Sequence, residues 1–321
     1  MTQTTVGNKT KTTARNWMEA ILDTITWDRM SLPGTHESCA LYDKATGGKT
    51  QCQNLSITEQ LERGIRFLDI RCKYKSDDDP TVFFPIHHGN IYQNITFSRV
   101  QEQCIDFLQA NPTEFIFMNV QQEEHWYASD YHYVVDGKTF GDKFSELIAP
   151  SRSWWLLPDE QRVYTVESSR KHIILIRTYD ETSSKGWWIG DNPEHSPGLA
   201  WNGFDIDGLS KSQLFETQNG WNAWYGTEKG KQVKHYLDLA SNQAGSAKIY
   251  LNFLSHTNGT PGNNAQDMNP MIHDYITSID YRKPLGILPI DFCSNTGQPG
   301  TGCLEDVIIE HNPYKSGFEY Y

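Results

Sequence analysis

The chain has 321 residues and a formal net charge of -12 at pH 7. We expect one domain, residues 15–321, behind a polar N-terminal tail, residues 1–14, because one α/β barrel of roughly 250 residues with insertions would use most of the length. The acidic balance excludes a nucleic-acid-binding surface, which needs clustered Lys and Arg. No apolar stretch approaches the ~18 residues of a membrane span, and the start lacks the apolar core of a signal peptide.

The six cysteines are too few for a disulfide scaffold, and none lies in a CxxC pair with zinc spacing. Cys39 with Cys52, or Cys293 with Cys303, could each close a short loop. Free buried thiols are an equally good interpretation, so the redox compartment stays open.

Predicted helices and strands alternate along the chain. "RNWMEAILDTI" has helical spacing, and "MSLPGTHESC" predicts a strand that ends in a glycine turn just before His36 and Glu37. "SITEQLERGIR" predicts a helix that begins at a capping box, Ser56 with Glu59. The later predicted strands are "FLDIRCKY", "TVFFPIHHG", "EFIFMNV", "KHIILIRTY", "AKIYLNFLS" and "PLGILPIDF". The later predicted helices are "TFSRVQEQCIDFLQANP", "TEKGKQVKHYLDLAS", "PMIHDYIT" and "CLEDVIIEH".

This alternation predicts an α/β fold, a TIM-like (β/α)8 barrel in a closed, distorted or incompletely closed form. Seven strands are clear, and the region from about 185 to 225 is too rich in Gly, Trp and Asn to assign. Its aromatic side chains are interpreted as buried, or as exposed at a membrane or substrate rim.

Polar residues follow the ends of the predicted strands, where a βα barrel carries its catalytic groups. Taken singly, each has an ordinary structural explanation, such as an ion pair between Asp69 and Arg71, which share one strand face. His87 and His88 are adjacent and point to opposite faces, so at most one enters the mouth. In chain order the strand-end residues are His36, Glu37, Asp69, Arg71, His87, His88, Gln121, Glu123, Arg177 and Asp291.

Two histidines and an arginine suit phosphodiester cleavage. One imidazole removes a proton from the attacking oxygen, the other protonates the leaving oxygen, and the guanidinium stabilises the charge on phosphorus. A carboxylate behind the base would fix its tautomer, and Asp291 is placed to supply it.

"SLPGTHES", "GIRFLDIR", "FPIHHGNIY" and "ILPIDF" resemble the bacterial phosphatidylinositol-specific phospholipase C family, the X-domain type of PLC-like phosphodiesterase. The resemblance runs from about Trp17 to the last strand and is strongest in the first 125 residues. It implies cleavage of phosphatidylinositol, or a glycosylated relative, to diacylglycerol and a cyclic inositol phosphate that is slowly hydrolysed. It also implies catalysis without a metal or cofactor.

The resemblance implies a role for each motif residue. His36 resembles the general base that deprotonates the inositol 2-hydroxyl, with Asp291 as its partner. His88 resembles the general acid, and Arg71 resembles the arginine that replaces the calcium of the eukaryotic enzymes. The carboxylates of the motif are Asp69, beside the arginine, and Glu37, where the bacterial enzymes usually carry Asp.

The headgroup pocket departs from the family pattern. Gln121 stands where a lysine is usual, and the arginine of the fifth strand is either offset to Arg177 or replaced by Thr178. Asn219 and Trp221 stand near the expected Asp and Tyr. We assign Gln121, Arg177 and Trp221 to substrate binding.

Two other functions stay open. One is a metal-dependent phosphodiesterase of the same superfamily, of glycerophosphodiesterase or sphingomyelinase D type, although Arg71 stands where a metal ligand is needed. The other is a catalytically silent module that binds a carbohydrate or a membrane. For the enzyme we expect a phospholipid substrate, transient contact with a membrane, a monomer and secretion, with a mature or a cytoplasmic form both compatible with the sequence.

Overall fold

The structure, a computed structural model, describes residues 10–74, 83–123, 139–158, 164–179, 199–200, 214–219, 226–256, 258–280 and 282–320. The strands are β1 (Thr10–Thr12), β2 (Ser31–Thr35), β3 (Phe67–Cys72), β4 (Pro85–His88), β5 (Ile91–Thr96), β6 (Ile116–Gln122), β7 (Trp155–Leu156), β8 (Ile173–Thr178), β9 (Leu199–Ala200), β10 (Phe215–Gln218), β11 (Ile249–Asn252), β12 (Gly286–Ile290) and β13 (Phe318–Tyr320). The α-helices are α1 (Ile57–Glu62), α2 (Phe97–Ala110), α3 (Phe140–Ile148), α4 (Val166–Ser169), α5 (Gly226–Asn242), α6 (Pro261–Ser278) and α7 (Leu304–Glu310). Among the described helices, none has the length and hydropathy to cross a bilayer.

A curled parallel sheet forms the body of the fold. Its strand order is β10-β11-β12-β2-β3-β6-β8-β7, and β9 pairs with the same edge of β8 as β7 does. Within the described residues β10 does not pair with this far edge, so the predicted α/β barrel is present in an incompletely closed form. The fold class predicted from the sequence is confirmed.

Side chains of each parallel strand alternate between two hydrophobic clusters. Phe67 of β3 and Phe117 of β6 pack inside the barrel. Their neighbours Leu68 and Met118 pack between the sheet and the surrounding helices. Because alternate residues share a face, odd-numbered positions of β3 and β6 point inward, and the last of them reach the mouth.

The hairpin of β4 and β5 differs from the sequence prediction. "TVFFPIHHG" was expected to supply a third strand of the parallel series, but β4 runs antiparallel to both β3 and β5. That part of the prediction is wrong because a short strand shows no direction in its apolar pattern. The hairpin continues past the carboxyl end of β3, since Cys72 pairs with Ile86, and it carries His88 to the mouth.

Two local predictions have clear outcomes. Ser56 and Glu59 form the predicted capping box of α1. "RNWMEAILDTI" forms a 3-10 helix, Ala14–Ala20, rather than a long α-helix. Near the N-terminus, β1 pairs in parallel with β13.

The structure also supplies a strand and a thiol state that the sequence left open. β10 lies inside the region to which no element was assigned. All six cysteines are free and buried, so neither of the short-loop disulfides is formed.

Candidate active site

The His36–Asp291 pair lies where β2 and β12 end side by side. Thr35 is in register with Ile290, so the next residue of each strand faces the same mouth. His36 Nδ1 lies 2.8 Å from Asp291 Oδ1. Gln53 Nε2 donates to the carbonyl oxygens of His36 and Ile290, at 3.0 and 2.7 Å, and so ties the two strand ends together.

The carboxylate of Asp291 makes His36 a stronger base. Burial lowers the pKa of the imidazole, but attraction to Asp291 and their hydrogen bond more than offset burial, so the pKa of His36 is raised. With Nδ1–H donated to the carboxylate, Nε2 is the nitrogen that accepts a proton.

The backbone around His36 corrects the predicted glycine turn. Gly34 lies within β2, and a Cβ atom there would come within 2.8 Å of Phe67 Cβ, so glycine is needed for close packing of β2 on β3. The left-handed conformation falls instead on Glu37, whose φ is 44°. Its backbone N–H donates to Asp69 Oδ2 at 3.1 Å, which holds this unusual turn in place.

Arg71 lies between two carboxylates. Its Nε and Nη2 donate to Asp69 Oδ2 at 3.1 and 3.0 Å, and its Nη1 lies 2.9 Å from Glu37 Oε1. Burial alone would lower the pKa of the guanidinium, but Asp69 and Glu37 raise it above its usual value. Arg71 is therefore a fixed positive charge at the mouth, with 15% of its side chain exposed.

The two carboxylates have opposite pKa shifts. Burial raises the pKa of Glu37 in spite of the nearby Arg71. Burial acts the same way on Asp69, but Arg71, His36 and the amide of Asn119, which donates at 2.9 Å, outweigh it and lower the pKa. Asp69 is thus the permanent anion that positions Arg71.

His88 is the last residue of β4 and lies beside Glu37 and Cys52. Its Nδ1 lies 3.7 Å from Glu37 Oε2 and 3.7 Å from Cys52 Sγ. Burial, followed by the charges of Arg71 and His36, lowers its pKa to about 4.

His87, the other histidine of the pair, is 3% exposed, and its ring centroid lies 5.7 Å from that of Tyr92.

Gln121 lies at the mouth as the sequence predicts. It is in register with Arg71 on β3 and with Thr178 on β8. Its Nε2 lies 3.4 Å from Glu123 Oε2, and Gly89 N–H donates to Glu123 Oε1 at 2.8 Å. Burial, followed by repulsion from Glu37, raises the pKa of Glu123 to about 7.

Arg177, the second predicted substrate-binding residue, does not face the mouth. Ile174 and Ile176 belong to the interior cluster, so strand alternation places Thr178 inside and Arg177 on the helix-facing side. Thr178 Oγ1 lies 2.7 Å from Asn119 Oδ1, which confirms its inward position. Trp221 lies outside the described residues.

Asn219, which follows β10, is buried.

Three residues that contact the proposed catalytic side chains were missed in the sequence. Asn119 stands two residues before Gln121, and strand alternation alone places it on the same face. Gln53 and Cys52 come from an irregular segment, and no periodic pattern there indicates that they approach His36 and His88.

An imidazole–carboxylate pair, an arginine and a second imidazole around one barrel mouth form an arrangement typical of phosphodiester cleavage. Residues 30–179 match the family model described as "Phosphatidylinositol-specific phospholipase C, X domain". The resemblance predicted from the sequence motifs is therefore confirmed over this segment.

Relatives extend the similarity beyond that segment. The chain is 27% identical over 294 residues to the 1-phosphatidylinositol phosphodiesterase of Listeria monocytogenes, covering 88% of this chain and 83% of the relative. A solved structure of the phosphatidylinositol-specific phospholipase C from Listeria monocytogenes superposes with a TM-score of 0.72 and 23% identity, covering 94% of this chain and all of the other. A Staphylococcus aureus structure, described as "Modulation of S.aureus Phosphatidylinositol-Specific Phospholipase C Membrane Binding", has a TM-score of 0.74 and 22% identity and covers 94% and 98% of the two chains.

Proposed function

We propose that the protein cleaves phosphatidylinositol, or a glycosylated relative, to diacylglycerol and a cyclic inositol phosphate. The predicted enzyme class, a phospholipase C-like phosphodiesterase, is supported by the matched family and by the relatives' shared description. The single observation that carries the proposal is that His36, hydrogen-bonded to Asp291, lies at the same mouth as His88 and Arg71, which both contact Glu37, the residue next to His36.

The reaction uses each of these groups once. His36 Nε2 takes the proton of the inositol 2-hydroxyl, and that oxygen attacks the neighbouring phosphorus. Arg71 stabilises the negative charge that grows on the phosphoryl oxygens. His88 protonates the glycerol oxygen as its bond to phosphorus breaks, which releases diacylglycerol and the cyclic phosphate.

The substrate itself prepares His88 to act as an acid. In the free protein the pKa of His88, about 4, leaves the imidazole neutral near pH 7. A phosphodiester anion bound at Arg71 offsets the charge that disfavours protonation and adds an anion of its own. Protonated His88 is therefore favoured when substrate is present.

The inward-facing residues give the proposed headgroup pocket a neutral character. Gln121 and Thr178 offer amide and hydroxyl groups, and buried Asn219 follows the edge strand β10. Arg177 is left out of the pocket because alternation places it outside the barrel. A hydroxyl next to the phosphate is still required as the internal nucleophile, so phosphatidylcholine is not a substrate.

The metal-dependent alternative is disfavoured by the two carboxylates that would be its ligands. Asp69 and Glu37 both form close ion pairs with Arg71, whose charge occupies the space that a cation would need.

We also propose that the enzyme is a secreted monomer that meets its substrate at a membrane surface. Flotation with lipid vesicles would test the membrane contact, and sedimentation would test the oligomeric state.

A phosphorus NMR time course tests the function directly. Purified protein and phosphatidylinositol vesicles are expected to give a cyclic inositol phosphate first and a slower monoester later. Phosphatidylcholine vesicles serve as the control and should stay intact. Absence of the cyclic phosphate, or release of choline phosphate, would contradict the proposal.

A further inference from the structure

A buried thiol lies beside the proposed catalytic groups and has no part in the reaction. Cys52 Sγ lies 3.7 Å from His88 Nδ1, and Cys52 is fully buried. One ligand atom from each of Cys52, His36 and Asp291 lies within 4.8 Å of the other two. The strand-end geometry thus gathers a sulfur, a nitrogen and a carboxylate oxygen at one point.

We propose that this cluster is an inhibitory binding site for a thiophilic divalent metal ion such as Zn²⁺, with His36, Cys52 and Asp291 as ligands. Zn²⁺ takes Cys, His and carboxylate ligands in a tetrahedron, whose ligand atoms are about 3.3–3.7 Å apart at ordinary bond lengths. The largest separation between two of the three ligand atoms, up to 4.8 Å, would have to shorten by about 1 Å, which side-chain rotation can supply.

The donor set selects the kind of metal. Ca²⁺ and Mg²⁺ prefer oxygen ligands, whereas a thiol together with an imidazole favours Zn²⁺ and similar ions. The site therefore differs from a metal-dependent phosphodiesterase centre, which would use Asp69 and Glu37. An ion can enter through the mouth, because 14% of the His36 side chain and 24% of the His88 side chain are exposed.

Binding would block the base without any redox step. The metal–sulfur bond forms as the Cys52 thiol loses its proton to solvent, and the bound imidazole of His36 no longer accepts a proton from substrate. This consequence rests on the proposed function, but occupation of the site does not.

Cobalt(II) provides a readout that is independent of activity. Chelator-treated, dialysed full-length protein is titrated with Co²⁺, and we expect one equivalent to give a thiolate-to-cobalt charge-transfer band with the visible bands of a tetrahedral ion. Zn²⁺ should remove the band. Cys52→Ala should lack it, whereas Cys104→Ala, which changes another buried cysteine in α2, should keep it.

Inhibition is measured on the same proteins with phosphatidylinositol vesicles. Zn²⁺ should inhibit the unmodified protein and Cys104→Ala, and EDTA should restore both. Cys52→Ala should need at least about tenfold more Zn²⁺, since even second-shell changes weaken metal sites about 10- to 100-fold.

The outcomes separate this inference from the proposed function. If the unmodified protein gives no thiolate-to-cobalt band, the metal site is wrong, whatever the variants show. The metal site is also wrong if folded Cys52→Ala is inhibited by the same Zn²⁺ concentration as the unmodified protein. A protein with the band but no activity on phosphatidylinositol would keep the metal site and contradict the proposed function. A protein that cleaves phosphatidylinositol but gives no band would support the proposed function and contradict the metal site.

Discussion

Arg66 and Arg71 lie five residues apart around β3, and each forms a buried ion pair. The pair at the start of the strand is sealed. Arg66 Nη2 lies 2.7 Å from Glu114 Oε2, and neither side chain has any exposed surface. The guanidinium lies 4.7 Å from the centroid of the Phe107 ring and 5.9 Å from that of Trp17. Its other N–H groups donate to backbone carbonyls of Arg15, Leu61 and Ile65.

The pair at the end of the strand is open. Arg71 has two carboxylate partners, Asp69 and Glu37, and part of its guanidinium faces the mouth. A phosphate can therefore approach Arg71, whereas nothing can approach Arg66 without unfolding the base of the barrel. Burial alone therefore does not show whether an ion pair serves stability or catalysis. Its position does, because catalytic groups of a βα barrel lie at the carboxyl ends of the strands.

The largest expected effect lies at the mouth. His36→Ala should lower turnover of phosphatidylinositol by about 10²–10⁴-fold, because a general base contributes that much, while the melting temperature changes little. His87→Ala is the control: it removes the buried imidazole next to His88 that strand alternation turns away from the mouth, and it should cost much less. Near-normal turnover by a folded His36→Ala would remove His36 from the mechanism.

At the base of the barrel the effect should fall on stability instead. Glu114→Ala leaves Arg66 buried without its counter-ion and should lower the free energy of unfolding by about 3–5 kcal/mol, measured by urea denaturation. Glu62→Ala is the matched control, since its ion pair with Arg15 is 3.8 Å long and exposed and should contribute less than about 1 kcal/mol. Turnover per folded molecule should stay unchanged in both variants. A loss of turnover in folded Glu114→Ala alone would show that the ion pair at the base of the barrel also serves catalysis.

The sequence predicted the mouth better than its surroundings, for a physical reason. Asp69 and Arg71 follow from strand alternation and Asp291 from the end of the last strand, because parallel strands bring their carboxyl ends to one edge. Arg177 was misplaced by one residue, which in a strand reverses the face.

Other features left no periodic signal. Cys52 and Gln53 reach the site from an irregular segment, and the direction of β4 depends on its pairing with β3 and β5, which are distant contacts. The sealed role of Arg66 was equally invisible, because its partner Glu114 is 48 residues away.

His88 should respond to an anion at Arg71. Nuclear magnetic resonance titration of the free protein should find the low pKa of about 4. Saturation with a non-hydrolysable inositol phosphonate should raise that pKa by about 1–3 units, the usual effect of an opposite charge within 4–6 Å. An unchanged pKa would indicate that the anion does not bind between Arg71 and His88.

Asp291 should set the acid limb of the pH profile. The base works only when deprotonated, so kcat/KM falls as the pH drops through the raised pKa of His36. Asp291→Asn removes the attraction that raises this pKa and should move the limb to lower pH, along with a reduced maximum. If the acid limb of Asp291→Asn stays at the pH of the unmodified protein in buffer with chelator, the limb reports a group other than His36.

The smallest expected effect is that of chelation on catalysis. Because Arg71 supplies the positive charge at the mouth, EDTA should leave the activity of the unmodified protein unchanged, or raise it where trace Zn²⁺ is bound at Cys52. Cys52→Ala separates these two cases, since it should show no rise. Loss of activity with EDTA, followed by recovery on addition of Ca²⁺ or Mg²⁺, would contradict the role of Arg71 and favour the metal-dependent mechanism. The open arginine would then resemble the sealed one, a structural cation that takes no part in the chemistry.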